Sequence, residues 1–127
     1  MNTRNIYPEK FKAVSIRKAN AEDEFPTGFS ASLEGEVAEL FIIGEIGGWW
    51  GIYGADIYNA LQGRKLDLIN VYISSGGGGI FEAFQIHDLF AGHPAPVNMY
   101  IFSLAASSAT TITAAADRVV ISRQSMF

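Results

Sequence analysis

Four short apolar runs constrain this chain more than any other feature. Leu40-Phe41-Ile42-Ile43, Leu68 to Ile73, Val97 to Phe102 and Val119 to Ile121 contain no charged residue. The first is a continuous apolar run, as a strand buried on both faces requires. Between them lie stretches with helical spacing. Ile52, Asp56, Ile57, Ala60 and Leu61 form one, ending near Gly63. Ile80, Phe84, Ile86 and Phe90 form the next, stopped by Pro94 and Pro96, and Ala105 to Ala116 form a third. Strands alternating with helices imply βαβ units, because parallel neighbours need a crossover. The expected fold class is α/β with a mostly parallel sheet. Residues 1–38 are more polar and read as an N-terminal extension or an edge hairpin, with residues 39–127 as the domain proper. Lys10 to Ile16 is too irregular to assign, and Ala21 to Gly28 reads as a loop.

Composition excludes several functions. The net charge is −4, with no basic stripe of the kind nucleic-acid binding needs. There is no cysteine, hence no disulfide, thiolate nucleophile or zinc–cysteine site. No apolar run approaches the roughly 20 residues of a membrane-spanning helix, and the first residues lack a signal peptide's apolar stretch. A cytoplasmic protein that binds neither nucleic acid nor membrane is the expectation. No metal or other cofactor is expected, since no clustered ligand set occurs.

Two strand-to-helix junctions carry the chemical interest. One is Ser74-Ser75-Gly76-Gly77-Gly78-Gly79. It lacks the Gly-Lys-Ser/Thr ending of a phosphate loop, and no acidic residue stands at the next strand's end as a dinucleotide fingerprint requires. Glycine there allows close backbone approach to a substrate, or simply a flexible turn. The other is Ser103-Leu104-Ala105-Ala106-Ser107-Ser108-Ala109. A serine at a helix start sits beside backbone N–H groups without intrahelical partners, as a nucleophile beside a developing oxyanion would. Close helix–sheet packing would equally account for the small residues. His87, followed by Asp88 on a helix, and His93 in a proline-bounded turn read as surface or packing histidines. Adjacent helical positions diverge, so His87 and Asp88 are not expected to form a catalytic pair by adjacency. Trp49 and Trp50, in the loop Gly44 to Gly51, suit a groove gate, a core edge or an oligomer contact.

Together these motifs resemble the ClpP-like serine peptidases, and most nearly their phage- and prophage-encoded head maturation (prohead) protease branch. In that family a strand ending Ser-Pro-Gly-Gly-Ser precedes a helix, and Gly-Gln-Ala-Ala-Ser-Met-Gly carries the nucleophile. Ser75 to Gly79 and Ser103 to Ala109 stand in those places. Leu40 to Leu61, with Ile43-Gly44-Glu45-Ile46, resembles the first strand and helix. The resemblance covers about residues 38–127. Gly76 replaces a proline, Gly79 a serine, Leu104 a glutamine and Ser108 a methionine.

The resemblance implies a ClpP/crotonase-like spiral of βαβ units. It implies a serine endopeptidase with Ser107 as nucleophile and the Ser108 N–H as one oxyanion donor. Gly78 supplies the second donor, with Gly77 as the next choice. Because Ser108 acts through its backbone, its side chain is expected to be free to vary. The implied partners are a protein or peptide substrate, such as a phage capsid or scaffold protein, further copies in a homo-oligomeric ring, and an ATP-dependent unfoldase, unless the enzyme works without one. The family's histidine follows a Met-Ile-His-like segment, to which Ser125-Met126-Phe127 reads as the approach, and its acid lies farther on. The domain therefore reads as truncated before its histidine, with its C-terminal part missing and this form inactive alone. Two other functions fit the same pattern: a crotonase-fold acyl-CoA enzyme, and a non-catalytic ring-forming or capsid-associated fragment.

Overall fold

The computed structural model describes residues 27–127. The readings over Lys10–Ile16 and over residues 21–26 lie outside them. Eight elements follow in order: β1 (Gly28–Glu34), β2 (Val37–Ile43), α1 (Gly54–Leu61), β3 (Leu68–Ser75), α2 (Ile80–Ala91), β4 (Val97–Ala105), α3 (Ser108–Thr113) and β5 (Arg118–Ile121). The strands form one sheet in the order β1-β2-β3-β4-β5. β1 and β2 are an antiparallel hairpin, and β2-β3, β3-β4 and β4-β5 pair in parallel. This is the mixed α/β, mostly parallel arrangement expected. β2 begins at Val37, so the hairpin spans the position where the polar segment was divided from the domain.

The sheet's two faces are built differently. On one face Leu40, Ile42, Val71, Ile73, Met99 and Ile101 pack against Ile57 and Leu61 of α1, Ala83, Ile86 and Phe90 of α2, and Ile112 of α3. Full burial of each large side chain contributes roughly 1.5–3 kcal/mol. The buried stripe of α2 is Ala83, Ile86 and Phe90, the i, i+3, i+7 positions of one helical face. Ile80 and Phe84, the other apolar positions of the same pattern, face out at 52% and 46% exposure. Mere apolarity could not separate the stripes, because α2 is apolar on both.

On the opposite face Phe41, Tyr72 and Tyr100 occupy one cross-strand row and stack. Their ring centroids are 4.8 Å and 5.3 Å apart, with planes within 23°. The neighbouring row places Glu39 beside Asn70. Glu39 is buried, and its carboxylate accepts the Tyr72 hydroxyl at 2.7 Å and Asn70 Nδ2 at 3.4 Å. Burial, and then the hydrogen bond to Glu39, push the Tyr72 hydroxyl far above the ordinary tyrosine value of 10.0. Burial raises Tyr100 as well.

Two element boundaries differ from the sequence pattern. β4 runs to Ala105, three residues past Phe102, because its end stays paired. The Ala105 N–H donates to Met126 O at 2.8 Å and the Ala106 N–H to Ser75 O at 3.1 Å. α3 is correspondingly shorter than Ala105–Ala116. It stops at Thr113, where Ala115 and Ala116 bond three residues back and tighten the last turn.

Two outcomes test this packing. Ile101→Ala should cost roughly 2–5 kcal/mol, because Ile101 is fully buried between strands and helices; the denaturant midpoint reads it. Since the folded state holds Tyr72 and Tyr100 protonated, these two groups should leave stability unchanged up to about pH 10 and lower it above that, as the unfolded chain ionises first. Tyr72→Phe should make that fall shallower, and an unchanged slope would refute the assignment.

Candidate active site

The site forms at the carboxyl ends of β2, β3 and β4, where the backbone ladder continues beyond the regular strands. Such ends are where open parallel sheets place ligands. Between Ile73 and Ser75 the β3–β4 register shifts: Ile73 pairs with Ile101, but Ser75 pairs with Ala105. β4 thus spends four residues where β3 spends two. Ser103 sits in the inserted stretch at φ +70°, as bulges allow. The bulge brings the next residues, Ala106 to Ser108, alongside the glycine loop.

That loop is pinned on both flanks. Towards β2, the Ile46 N–H donates to Gly77 O at 3.0 Å and the Gly79 N–H donates to Ile46 O at 2.8 Å. This is one parallel bridge, centred on Ile46 and Gly78. Towards α3, the Ser108 hydroxyl donates to Gly78 O at 3.2 Å. The buried Ser75 hydroxyl accepts the Gly77 N–H at 3.1 Å. Two glycines are sterically required here. A Cβ on Gly77 would stand 2.8 Å from Ser107 Cβ, and one on Gly78 would stand 2.1 Å from Ile46 O.

Ser107 is exposed and holds φ +54°, ψ −131°, a backbone region that L residues rarely occupy. Its carbonyl accepts the Thr110 N–H at 3.1 Å and the Thr110 hydroxyl at 2.7 Å, fixing it at the helix start. Its own hydroxyl makes no capping bond. The N–H of Ser108, first in α3, has no acceptor among the described residues, and neither has that of Gly78. The structure therefore brings Ser107, Ser108, Gly77 and Gly78 together. Of the two glycine N–H groups, that of Gly77 is already committed to Ser75.

Three features escaped the sequence reading. The Ser108 side chain, read as acting only through its backbone, also ties Gly78 to α3. Ser75 was read only as part of a motif, yet it orients Gly77. Ile46, one apolar residue in a loop, is the loop's main anchor. Ser108 and Ile46 act on backbone partners distant in sequence, whereas Ser75 acts on a glycine two residues along.

The histidines lie elsewhere. His87 is seven residues into α2, about 10 Å along a helix that starts at the site. It meets Asp88 at 3.0 Å, where the two side chains lean together over the exposed surface. His93 Nδ1 accepts the Ala95 N–H at 3.0 Å within its own turn. Trp49 and Trp50 do not cover the core edge, being 93% and 95% exposed. Among the described residues no acidic or histidine cluster could hold a metal ion. No helix there is long and apolar enough to cross a membrane. A cleft of about 440 Å³ between α1 and α2, lined by Gly54, Tyr58, Gln85, Asp88 and Leu89, includes none of the residues of the serine–glycine site.

Residues 56–126, just over half of the chain, match the Clp protease family. The chain belongs to the Clp protease family. A ClpP mutant from Listeria monocytogenes is similar at 26% identity and a TM-score of 0.53, over 61% of this chain and 46% of that one. The ClpP protease catalytic domain from Plasmodium falciparum is similar at 18% identity and 0.52, over 94% and 64%. An enoyl-CoA hydratase from Mycobacterium avium subsp. paratuberculosis has the same fold, at 18% identity and 0.62, over 79% and 49%. No curated protein matches. The chain spans about half the length of the first solved structures it resembles. The fold is ClpP/crotonase-like, as both groups of neighbours show.

Substitution of the glycines tests the loop's geometry. Gly78→Ala should destabilise by about 1–3 kcal/mol or more, through strain at φ +147° and the clash with Ile46 O. Gly76→Ala, whose Cβ would meet only Leu104 Cδ2 at 3.9 Å, should stay within roughly 0.5 kcal/mol of the parent. Thermal melts of the two variants side by side decide it.

Proposed function

We infer that this chain carries the nucleophile and oxyanion hole of a ClpP-like serine endopeptidase. The observation that carries the reading is the junction itself: Ser107, exposed and strained at a helix start, beside two N–H groups without acceptors. In this reading Ser107 Oγ attacks a peptide carbonyl as its proton passes to a histidine. The N–H groups of Gly78 and Ser108 hold the oxyanion, which they are free to do without breaking other bonds. The amine then leaves with that proton, and water hydrolyses the acyl-enzyme.

The base is neither His87 nor His93, given where they lie. By the family resemblance, the base is a histidine placed after a segment like Ser125-Met126-Phe127. The Met126 N–H donates to Ser103 O, and Leu104 and Met126 form a parallel bridge. The chain therefore runs beside β4 in the direction of Ser107, and a histidine a few residues on would arrive next to it. Protein or peptide is the substrate class. Capsid or scaffold proteins of a phage are the specific substrates we favour, with cleavage by a homo-oligomeric ring in the bacterial cytoplasm, alone or fed by an unfoldase.

The crotonase alternative rests on a specific observation, the fold shared with enoyl-CoA hydratases. Two backbone N–H groups would serve a thioester oxygen as well as a peptide oxyanion. An exposed serine hydroxyl between them favours the peptidase, since thioester polarisation alone does not need it.

Peptide turnover by three forms tests the reading. The 127-residue form should be slower by several orders of magnitude than a form extended through the histidine and acid. In the extended form Ser107→Ala should abolish turnover and fluorophosphonate labelling. Full activity of the short form, lost on His87→Ala, would overturn the place given to the base. Full activity of the extended Ser107→Ala form would overturn the nucleophile.

A further inference from the structure

The turn Gly47–Gly51 next to the glycine loop is built rigidly, yet it presents two bare indoles. The Gly47 N–H donates to Ile52 O at 2.8 Å and the Ile52 N–H to Glu45 O at 2.9 Å. The Tyr53 hydroxyl donates to Gly48 O. Gly51 packs so closely that a Cβ there would stand 1.6 Å from Gly47 O. Ile46 joins this turn to the site, because it bridges both Ile52 and Gly78. With its backbone clamped, the turn has little main-chain freedom left to lose when a ligand packs on the tryptophans.

Two carboxylates lie at the base of the same turn. A Cβ on Gly48 would stand 2.9 Å from Glu45 Oε1, and one on Gly47 would stand 3.4 Å from the Glu82 carboxyl carbon. Neither Glu45 nor Glu82 makes an ion pair or side-chain hydrogen bond among the described residues. A turn that carries two exposed indoles over two carboxylates is complementary to an organic cation, above all a guanidinium, which stacks on aromatics and pairs with carboxylates. We propose that the Trp49–Trp50 turn, with Glu45 and Glu82, holds an arginine or lysine side chain of the polypeptide substrate and so sets a preference for basic residues near the cleaved bond. The proposal rests on the peptidase reading for the identity of the occupant. A wholly apolar occupant would leave both carboxylates facing it unpaired.

The probes are two fluorescein-labelled octapeptides that differ in one central residue, arginine or norleucine. Their binding to the 127-residue chain is followed by anisotropy in a Ser107→Ala background, so failure here leaves the nucleophile assignment untouched. The arginine peptide should bind about tenfold more tightly, with the difference shrinking as salt rises. Glu45→Gln with Glu82→Gln should erase the difference, and so should Trp49→Ala with Trp50→Ala. Trp49→Phe with Trp50→Phe should keep most of it. Equal binding of the two peptides would overturn the proposal. So would a preference that survives the double alanine change, or sedimentation showing that the tryptophan variants dissociate an oligomer without altering peptide binding. Failure of the peptidase reading is read separately, from turnover by the extended form and its Ser107→Ala variant.

Discussion

The site depends on one hydrogen-bonded ladder carried past the ends of the regular strands. Ile46 takes the N–H of Gly79 and gives its own to Gly77 O, while Ala106 binds Ser75 from the other side. These bonds fix the glycine loop between two flanks. They set the start of α2, because Gly79 is its N-cap residue. They also leave the Gly78 N–H outside the bridge with Ile46. Backbone groups are suited to this task because each residue brings a donor and an acceptor whose directions are fixed by the chain. Glycine is needed only where the flanks come too close for a Cβ.

Strain is concentrated at Ser103 and Ser107, the two described non-glycine residues with positive φ. Each such residue costs of order 1–3 kcal/mol and persists only when its surroundings determine it. The surroundings here are explicit. Ser103 lies in the β4 bulge, with its carbonyl held by the Met126 N–H. Ser107 is held by Thr110 and by contact with Gly77. The buried sheet and helix residues supply the stability against which this cost is set, and Ile46 joins that core to the site.

The sheet's second face shows the converse economy. Glu39 is a buried carboxylate whose cost is offset only by Tyr72 and Asn70. Removing one donor would leave a charge poorly solvated, which is far costlier than losing an ordinary contact. The stacked Phe41, Tyr72 and Tyr100 rings hold that hydroxyl in place, so packing and polar satisfaction on this face are a single arrangement. ClpP proteases and enoyl-CoA hydratases share the fold, so what separates their chemistries must be sought in side chains at the strand ends rather than in the sheet.

The sequence alone determined the order of elements from Leu40 onwards and the mostly parallel pairing. Uncharged strands and intervening helical spacing are local properties that leave few topologies open. It also marked Ser107 and the glycine run as junctions. Tertiary structure decided the rest. The β4 bulge and the extension to Ala105 exist because Ser75 and Met126, distant in sequence, pair with that segment. Which stripe of α2 is buried was decided by the sheet beneath it, since Ile80 and Phe84 are as apolar as Ile86. The roles of Ile46 and of the Ser108 hydroxyl, which bonds a carbonyl 30 residues away in the chain, follow from distances between remote segments. Local pattern carries the periodicity of each element, but the direction of a single N–H group is fixed only when the neighbouring strands are in place.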